Sequence, residues 1–450
     1  MKKIIFILLL CGYGISVLAQ GISFQKGNWK EILAMAKKEK KLVFIDNYTS
    51  WCGPCKKMVK EVFPMQEVGD FYNANFVCYK LDCEKGDGVE VAKIYQINSF
   101  PTYLFVDGNG KLFYRSGSYM SAEKFIAEGK IALEEFADKR TIEEWDALYA
   151  RKKNQPDFVK AYLAKRNRLK LDNADIRDQY VGIAKEKDLL APAFLKELTT
   201  FGCKVKADGK CADFMFAHWE DLLEASGTDE KHLAELLTYN IVQYSYNRAV
   251  TEENGDLFGK VLKINAVLSE KLGKVPGDEE IKLRSHYLAA TGQVDDFEKI
   301  VQLHADILFR EEKGVLERDA ALYKEYLKNM IDGAGQLASQ NPEQLAFSLK
   351  FAGIKESSNL SFSFRDLAAH VARLSEDRAL LAKAMIWALE AITLFDNFTN
   401  YETLAEVLSK MGYQKEALWE MQKAADKMPA GNDAIAARIN GKLEKMKKEL

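Results

Sequence analysis

The run Leu42-Val43-Phe44-Ile45 limits what this chain can fold into more than any other segment. Four consecutive apolar residues without alternation suit a strand covered on both faces, as in a sheet held between helices. The flanking sequence agrees. Asn28 to Lys40 puts Trp29, Ile32, Leu33 and Ala36 on one face of a predicted helix, with Asn28 as its N-cap. A helix from about Pro54, a strand over Phe76 to Asp82, a short helix over Val89 to Tyr95 and a strand over Tyr103 to Val106 follow. Asp107-Gly108-Asn109-Gly110 has the composition of a tight turn, and Lys111 to Arg115 returns as an antiparallel partner. Ser121 then opens an amphipathic helix through Phe125, Ile126, Ile131 and Leu133 to Phe136. That order describes a small mixed α/β sheet covered by helices.

From about Thr141 the texture becomes helix after helix, rich in Ala, Leu, Glu and Lys. At 450 residues the chain exceeds one ordinary core, so a second domain is expected there. The clearest unit places Tyr401, Leu404, Ala405 and Leu408 on one helix and Ala417, Met421 and Ala424 on the next. Gly412 lies between them and Pro429 after them. This spacing resembles the tetratricopeptide pattern, and an all-α helical-repeat solenoid over 141–450 is predicted.

The first residues differ in kind. Lys2 and Lys3 precede the apolar run Ile4 to Leu10, and Val17-Leu18-Ala19 ends the segment with small residues at cleavage-site positions. Residues 1–19 therefore read as a signal peptide, with export to the periplasm expected, rather than as a membrane anchor or a lipoprotein at Cys11. No later stretch is apolar enough to span a bilayer. Charge is nearly balanced, 64 basic against 66 acidic residues without a basic block, which argues against nucleic acid as a partner.

Export governs the cysteines. Cys52, Cys55, Cys78, Cys83, Cys203 and Cys211 remain after Cys11 is removed, too few for a disulfide scaffold. The spacing gives no second C-x-x-C and the histidines cluster with none of them, so no metal is expected. Cys78 and Cys83 read as buried small hydrophobes. Between Cys203 and Cys211 lies a polar, glycine-containing stretch, which suggests a loop clipped by a structural disulfide.

Trp51-Cys52-Gly53-Pro54-Cys55-Lys56 carries the chemistry. A cysteine attacks disulfides as thiolate, and a helix N-terminus lowers its pKa by offering unpaired N–H groups and the positive end of the dipole. Two intervening residues bring Cys55 within one turn, able to resolve a mixed disulfide formed by Cys52. Pro54 costs no hydrogen bond in a first turn. Trp51 offers an apolar rim for a partner chain. A lone C-x-x-C is also half a zinc site, but one placed between a buried strand and a helix reads as redox.

The stretch Asp46 to Lys56 closely resembles the active-site segment of the thioredoxin family, and the resemblance covers residues 21–138. It implies a thioredoxin fold and gives roles to residues that are ambiguous alone. Asp46, six residues before Cys52, matches the family's buried carboxylate, which assists proton transfer at the second cysteine. Lys80 matches the lysine beside it, although on its own it reads as a solvated strand residue. Phe100-Pro101-Thr102 looks like the cis-proline loop that hydrogen-bonds extended substrates, with Gly53 and Pro54 beside it. Gly117 falls where a glycine precedes the last helix. Asn47-Tyr48 departs from the family's aromatic pair. The function implied is an exported thiol–disulfide oxidoreductase that reduces or isomerises disulfide-containing proteins, since Gly-Pro resembles the reducing members near about −270 mV. Its electrons would come from a membrane thiol relay, for no FAD or NAD motif is present. The alternative is a chaperone-like scaffold in which the helical repeats do the work and the first domain binds peptides.

Overall fold

A computed structural model describes residues 21–138, 140, 142–332, 352–428 and 433–449. The segment read as a signal peptide and Pro429 lie outside the described residues. The chain divides into two compact units, residues 1–184 and 185–450.

In the first unit, α1 (Trp29–Glu39) is closed by a capping box, in which Asn28 accepts from Glu31 N–H and the Glu31 carboxylate accepts from Asn28 N–H. Strand β1 (Leu42–Tyr48) leads to α2 (Gly53–Glu61), α3 (Gln66–Asn75) and β2 (Phe76–Asp82). Then come α4 (Asp87–Ile94), β3 (Thr102–Val106), β4 (Leu112–Gly117) and α5 (Ala122–Ala137). The strands order β2-β1-β3-β4, with β1/β2 parallel and the other pairs antiparallel. Helix α3 has no counterpart in the sequence-based expectation. Pro64 separates it from α2, as a proline that supplies no N–H to continue a helix will do.

The continuous apolar run is covered on both faces. Leu42 and Phe44 join Phe76, Cys78, Tyr103 and Phe105 in a core with α2, α3 and α5. Val43 and Ile45 join Val77, Tyr79, Leu104 and Val106 in a second core with α1 and α4. Each of β1, β2 and β3 thus sends alternate side chains to opposite cores. Aromatic rings fill the first: Phe44, Tyr72, Tyr103 and Phe125 meet one another at centroid distances of 4.3–5.9 Å.

Three more helices belong to this unit, α6 (Ile142–Lys152), α7 (Pro156–Arg168) and α8 (Ala174–Ile183). Charge couples α7 to α5. Lys165 is buried against buried Glu135 and lies 3.3 Å from Asp138, while Arg168 reaches Glu135 at 2.9 Å. Lys170, just past α7, meets Glu128 at 3.0 Å. A buried ion pair stabilises weakly as a pair, but losing Lys165 leaves buried Glu135 to Arg168 alone and takes a lysine from Asp138. Lys165→Met should therefore lower unfolding stability by roughly 3 kcal/mol in urea titration. Adding Glu135→Leu should recover most of that, and a double variant as unstable as the single would refute the coupling.

From residue 185 onward every described element is helical. Successive long helices pack together, as Lys355–Leu374 with Arg378–Leu394 and Phe398–Lys410 with Gln414–Asp426. The last pair buries Leu404, Ala405, Leu408, Ala417, Met421 and Ala424, and Gly412 adopts φ 90° in its turn, where a side chain would be strained.

Three histidines meet inside this unit. His286 Nδ1 lies 3.4 Å from His370 Nε2, and the His286 and His304 rings are 5.1 Å apart. Lys282, Arg373 and Asp366 are the charges around them. Burial is the main cause that holds His304 down to about 3 and His370 to about 4, so both stay neutral in the fold. The unfolded chain takes up protons below about pH 6.5, the folded one does not, and stability falls as pH drops through that range. His304 alone accounts for about 2 kcal/mol between pH 8 and pH 5. Replacing it in His304→Gln should flatten the pH dependence of helical unfolding followed by circular dichroism; an unchanged slope would refute this.

Candidate active site

Strand β1 ends at Tyr48 and the chain turns into α2, making Cys52 the N-cap residue. Its backbone is extended, and Cys55 N–H donates to its Sγ at 3.1 Å. Cys52 and Cys55 are joined as a disulfide, with Cα atoms 5.3 Å apart. The same N-terminal groups would stabilise a Cys52 thiolate once that bond is reduced. Both cysteines are 3% exposed and flank exposed Gly53 and Pro54. Solvent coverage does not tell the two sulfurs apart; the N-cap position does.

The two-residue period of β1 decides where the carboxylate lies. Asp46 shares the parity of Leu42 and Phe44, so it belongs to the face covered by α2, and it is 1% exposed. Lys80 stands opposite it in the parallel register, its Nζ 3.6 Å from Oδ2. The same ammonium lies 4.6 Å from the Tyr48 ring centroid and about 6 Å from those of Phe24 and Phe63. Neither Asp46 oxygen accepts a hydrogen bond from the protein. Burial pushes the Asp46 carboxyl up to about 6, with Lys80 opposing only in part. A carboxyl poised there can accept and return a proton near neutral pH. Tyr103, its partner on β3, buries a hydroxyl that also has no hydrogen-bond partner.

The peptide bond Phe100–Pro101 is cis. Gly117 lies against it: a Cβ there would come within 2.8 Å of the Pro101 carbonyl oxygen, which also accepts from Ser118 N–H. Thr102 Oγ1 donates to Ser99 O at 2.7 Å. Trp51 is 65% exposed and meets the Phe100 ring edge-on at 6.0 Å, so the tryptophan rim and the cis-proline loop adjoin.

Two residues here were not assigned a role from sequence. Asn47 is fully buried, and its amide donates to Thr102 O at 3.0 Å and Ile45 O at 3.2 Å, tying β1 to the residue after the cis-proline. A polar side chain within a strand buried on both faces was the available signal, because such a group needs partners. Glu84 accepts from Trp51 Nε1 at 2.8 Å, and nothing in its local pattern marks it.

The remaining cysteines are of another kind. Cys78 and Cys83 are buried thiols, pushed up by burial to about 12 and about 11, which keeps them protonated and poorly nucleophilic. The disulfide expected between Cys203 and Cys211 is not formed; both are buried thiols. Hydrogen bonds hold that loop instead. Gly202 N–H and Val205 N–H donate to the Asn240 side-chain and backbone oxygens, and Ala207 N–H donates to Ser245 Oγ. Val205 and Ala207 are buried, so a loop that reads as polar is anchored in the core.

The raised Asp46 pKa has a stability consequence. The folded carboxyl holds its proton to higher pH than the unfolded one, so ionisation opposes folding above about pH 4 and not below it. Asp46→Asn removes that opposition. It should stabilise the protein by about 3 kcal/mol at pH 7 and only about 1 kcal/mol at pH 4.5. Urea midpoints at the two pH values test this, and equal shifts would refute a buried titrating carboxyl.

A family model described as a thioredoxin-like domain matches residues 29–131. Thioredoxin-T of Drosophila melanogaster is 30% identical over 106 residues, which are 23% of this chain and 64% of that protein, so the chain spans less than two thirds of this relative. The thiol:disulfide interchange protein DsbD of Pseudoalteromonas atlantica is 33% identical over 109 residues, 23% of this chain and 18% of its own length. Thioredoxin-1 of Drosophila yakuba is 35% identical over 78 residues, 17% of this chain and 68% of its own. Through its N-terminal α/β segment the chain belongs to the thioredoxin-like family.

Proposed function

We propose that this protein is an exported, periplasmic thiol–disulfide oxidoreductase that reduces or isomerises disulfides in other proteins. In this reading residues 1–19 are a cleaved signal, 21–138 the redox domain, and 141–450 a helical-repeat domain that holds partners, its first helices α6–α8 lying in the same compact unit as the redox domain. The observation that carries it is the Cys52–Cys55 disulfide at the N-terminus of α2, in a domain that also buries Asp46 with a carboxyl raised to about 6.

In the reduced protein Cys52, as thiolate, attacks one sulfur of a substrate disulfide. The substrate S–S bond breaks, one substrate thiol leaves, and a mixed disulfide forms at Cys52. Asp46 takes the proton from Cys55, with Lys80 offsetting the carboxylate's charge. Cys55 then attacks Cys52 Sγ, freeing the second substrate thiol and closing the Cys52–Cys55 bond. Two electrons pass to the substrate; its first leaving sulfur takes a proton from solvent and its second the proton held by Asp46, and a membrane-embedded dithiol relay returns the electrons. Trp51, Gly53, Pro54, Phe100, Pro101 and Thr102 form the surface on which an extended substrate segment lies. Asn47 braces the cis-proline side of it through Thr102.

Insulin reduction in the presence of a reductant tests the reading. Wild type should turn over and Cys52→Ser should not; equal inactivity with the fold intact would overturn it. Cys55→Ser should accumulate mixed disulfides at Cys52, and mass spectrometry finding them elsewhere would reverse the order of attack.

A further inference from the structure

Tyr103 is a buried titratable group that takes no part in the thiol–disulfide steps. It stands directly opposite Asp46 in the antiparallel β1/β3 register, which puts both side chains on one face of the sheet with Cβ atoms about 5 Å apart. Tyr103 is 0% and Asp46 1% exposed. The other two tyrosines of this core use their hydroxyls. Tyr72 donates to Phe125 O at 2.7 Å and Tyr114 to Glu128 Oε2 at 2.6 Å. The Tyr103 hydroxyl has no such partner, and neither has either Asp46 oxygen. A buried donor and a buried acceptor left open on adjoining strands each cost free energy, and one bond between them relieves both. The rings of Phe125, Phe44 and Phe63, at centroid distances of 5.2, 5.9 and 6.4 Å, surround the phenol. Burial, and then the charge of Asp46, holds it far above the usual tyrosine range, so it is a donor that does not ionise.

We propose that Tyr103 is a positioning residue for the proton that leaves Cys55: in the reduced protein its hydroxyl donates a hydrogen bond to the ionised Asp46 carboxylate. A bond to the charged form favours that form, so the hydroxyl holds the base ionised against the desolvation that opposes it. When Asp46 takes the Cys55 proton it becomes a neutral acid and the bond from the phenol weakens. The phenol keeps its own proton throughout. Lys80 acts on the same carboxylate from β2, by charge at 3.6 Å. Tyr48 and Cys83 are the other titratable groups that sense it, α2 brings Cys52 and Cys55, and α5 presents the apolar Phe125. The proposal rests on the reading that Asp46 is the base for Cys55, and it names the group that prepares that base.

Carbon-13 NMR of the reduced full chain, labelled at the aspartate carboxyls, follows the Asp46 titration directly, with Asp46→Leu identifying its resonance. Tyr103→Phe should move that titration up by about one pH unit, a tenfold gain in proton affinity. Urea unfolding of the reduced protein gives a second readout of opposite sign for the two cases. A hydroxyl bound to the carboxylate makes Tyr103→Phe destabilising at about pH 8, an effect that disappears at about pH 4.5 and in the Asp46→Leu background. An idle buried hydroxyl makes Tyr103→Phe equally stabilising at both pH values and in both backgrounds. An unmoved Asp46 titration, or that uniform stabilisation, overturns the proposal. Insulin reduction by the same samples keeps the two readings apart. Wild-type turnover with an unmoved titration removes the role of Tyr103 alone, while a moved titration without wild-type turnover removes the redox reading and leaves the pairing.

Discussion

Burial of β1 on both faces is the constraint from which the rest of the first unit follows. A strand sandwiched between helices has no solvent-facing side, so every second residue must enter one core or the other. Leu42 and Phe44 enter the aromatic core beneath α2 and α5, Val43 and Ile45 the second core beneath α1 and α4. Continuing the same alternation by one residue puts Asp46 inside the protein on the side of the cysteine helix. The strand ends two residues later, which sets the start of α2 and makes Cys52 its N-cap. One period of two thus positions both the acid–base group and the sulfur chemistry.

That arrangement opposes stability where it serves chemistry. Asp46 keeps no hydrogen bond from the protein, and its one close charge, Lys80, lies 3.6 Å away and is itself partly exposed. Desolvation wins over the Coulomb attraction, which is why the carboxyl titrates near 6 instead of below 4. The surrounding rings of Phe44, Tyr72, Tyr103 and Phe125 offset the cost by burying large apolar surfaces in mutual contact. Functional sites commonly hold such locally unfavourable groups within a core that over-determines them.

Much of this was legible in the residues. The two-sided strand and the cysteine pair at a helix start follow from pattern and spacing, and the burial of Asp46 from the family resemblance. The family resemblance singles out Gly117, whose missing Cβ leaves room for the Pro101 carbonyl. Other features were not. Helix α3 has weak amphipathic patterning and no side-chain N-cap, so its start carries no signal. The Trp51–Glu84 hydrogen bond joins residues 33 apart, and no local pattern announces a partner at that distance. The stretch from Lys204 to Lys210 reads as a solvated loop fit for a disulfide. Asn240 and Ser245, some 40 residues away, supply the hydrogen bonds that hold it and leave two buried thiols.

By itself the sequence determined the α/β order of the first domain, the helical character of the second, and the chemistry of Cys52 and Cys55. Those depend on local periodicity and on a motif confined to one strand–helix junction. Only the tertiary structure decided the partners that act across long separations. These are Asn47 bracing Thr102, Glu84 accepting from the Trp51 indole, and α7 tied to α5 through Lys165 and Glu135. The physical reason is the same in each. A side chain's environment is set by whichever segments the fold brings beside it, and polar groups in particular declare their roles only when desolvation and a specific partner are both in place.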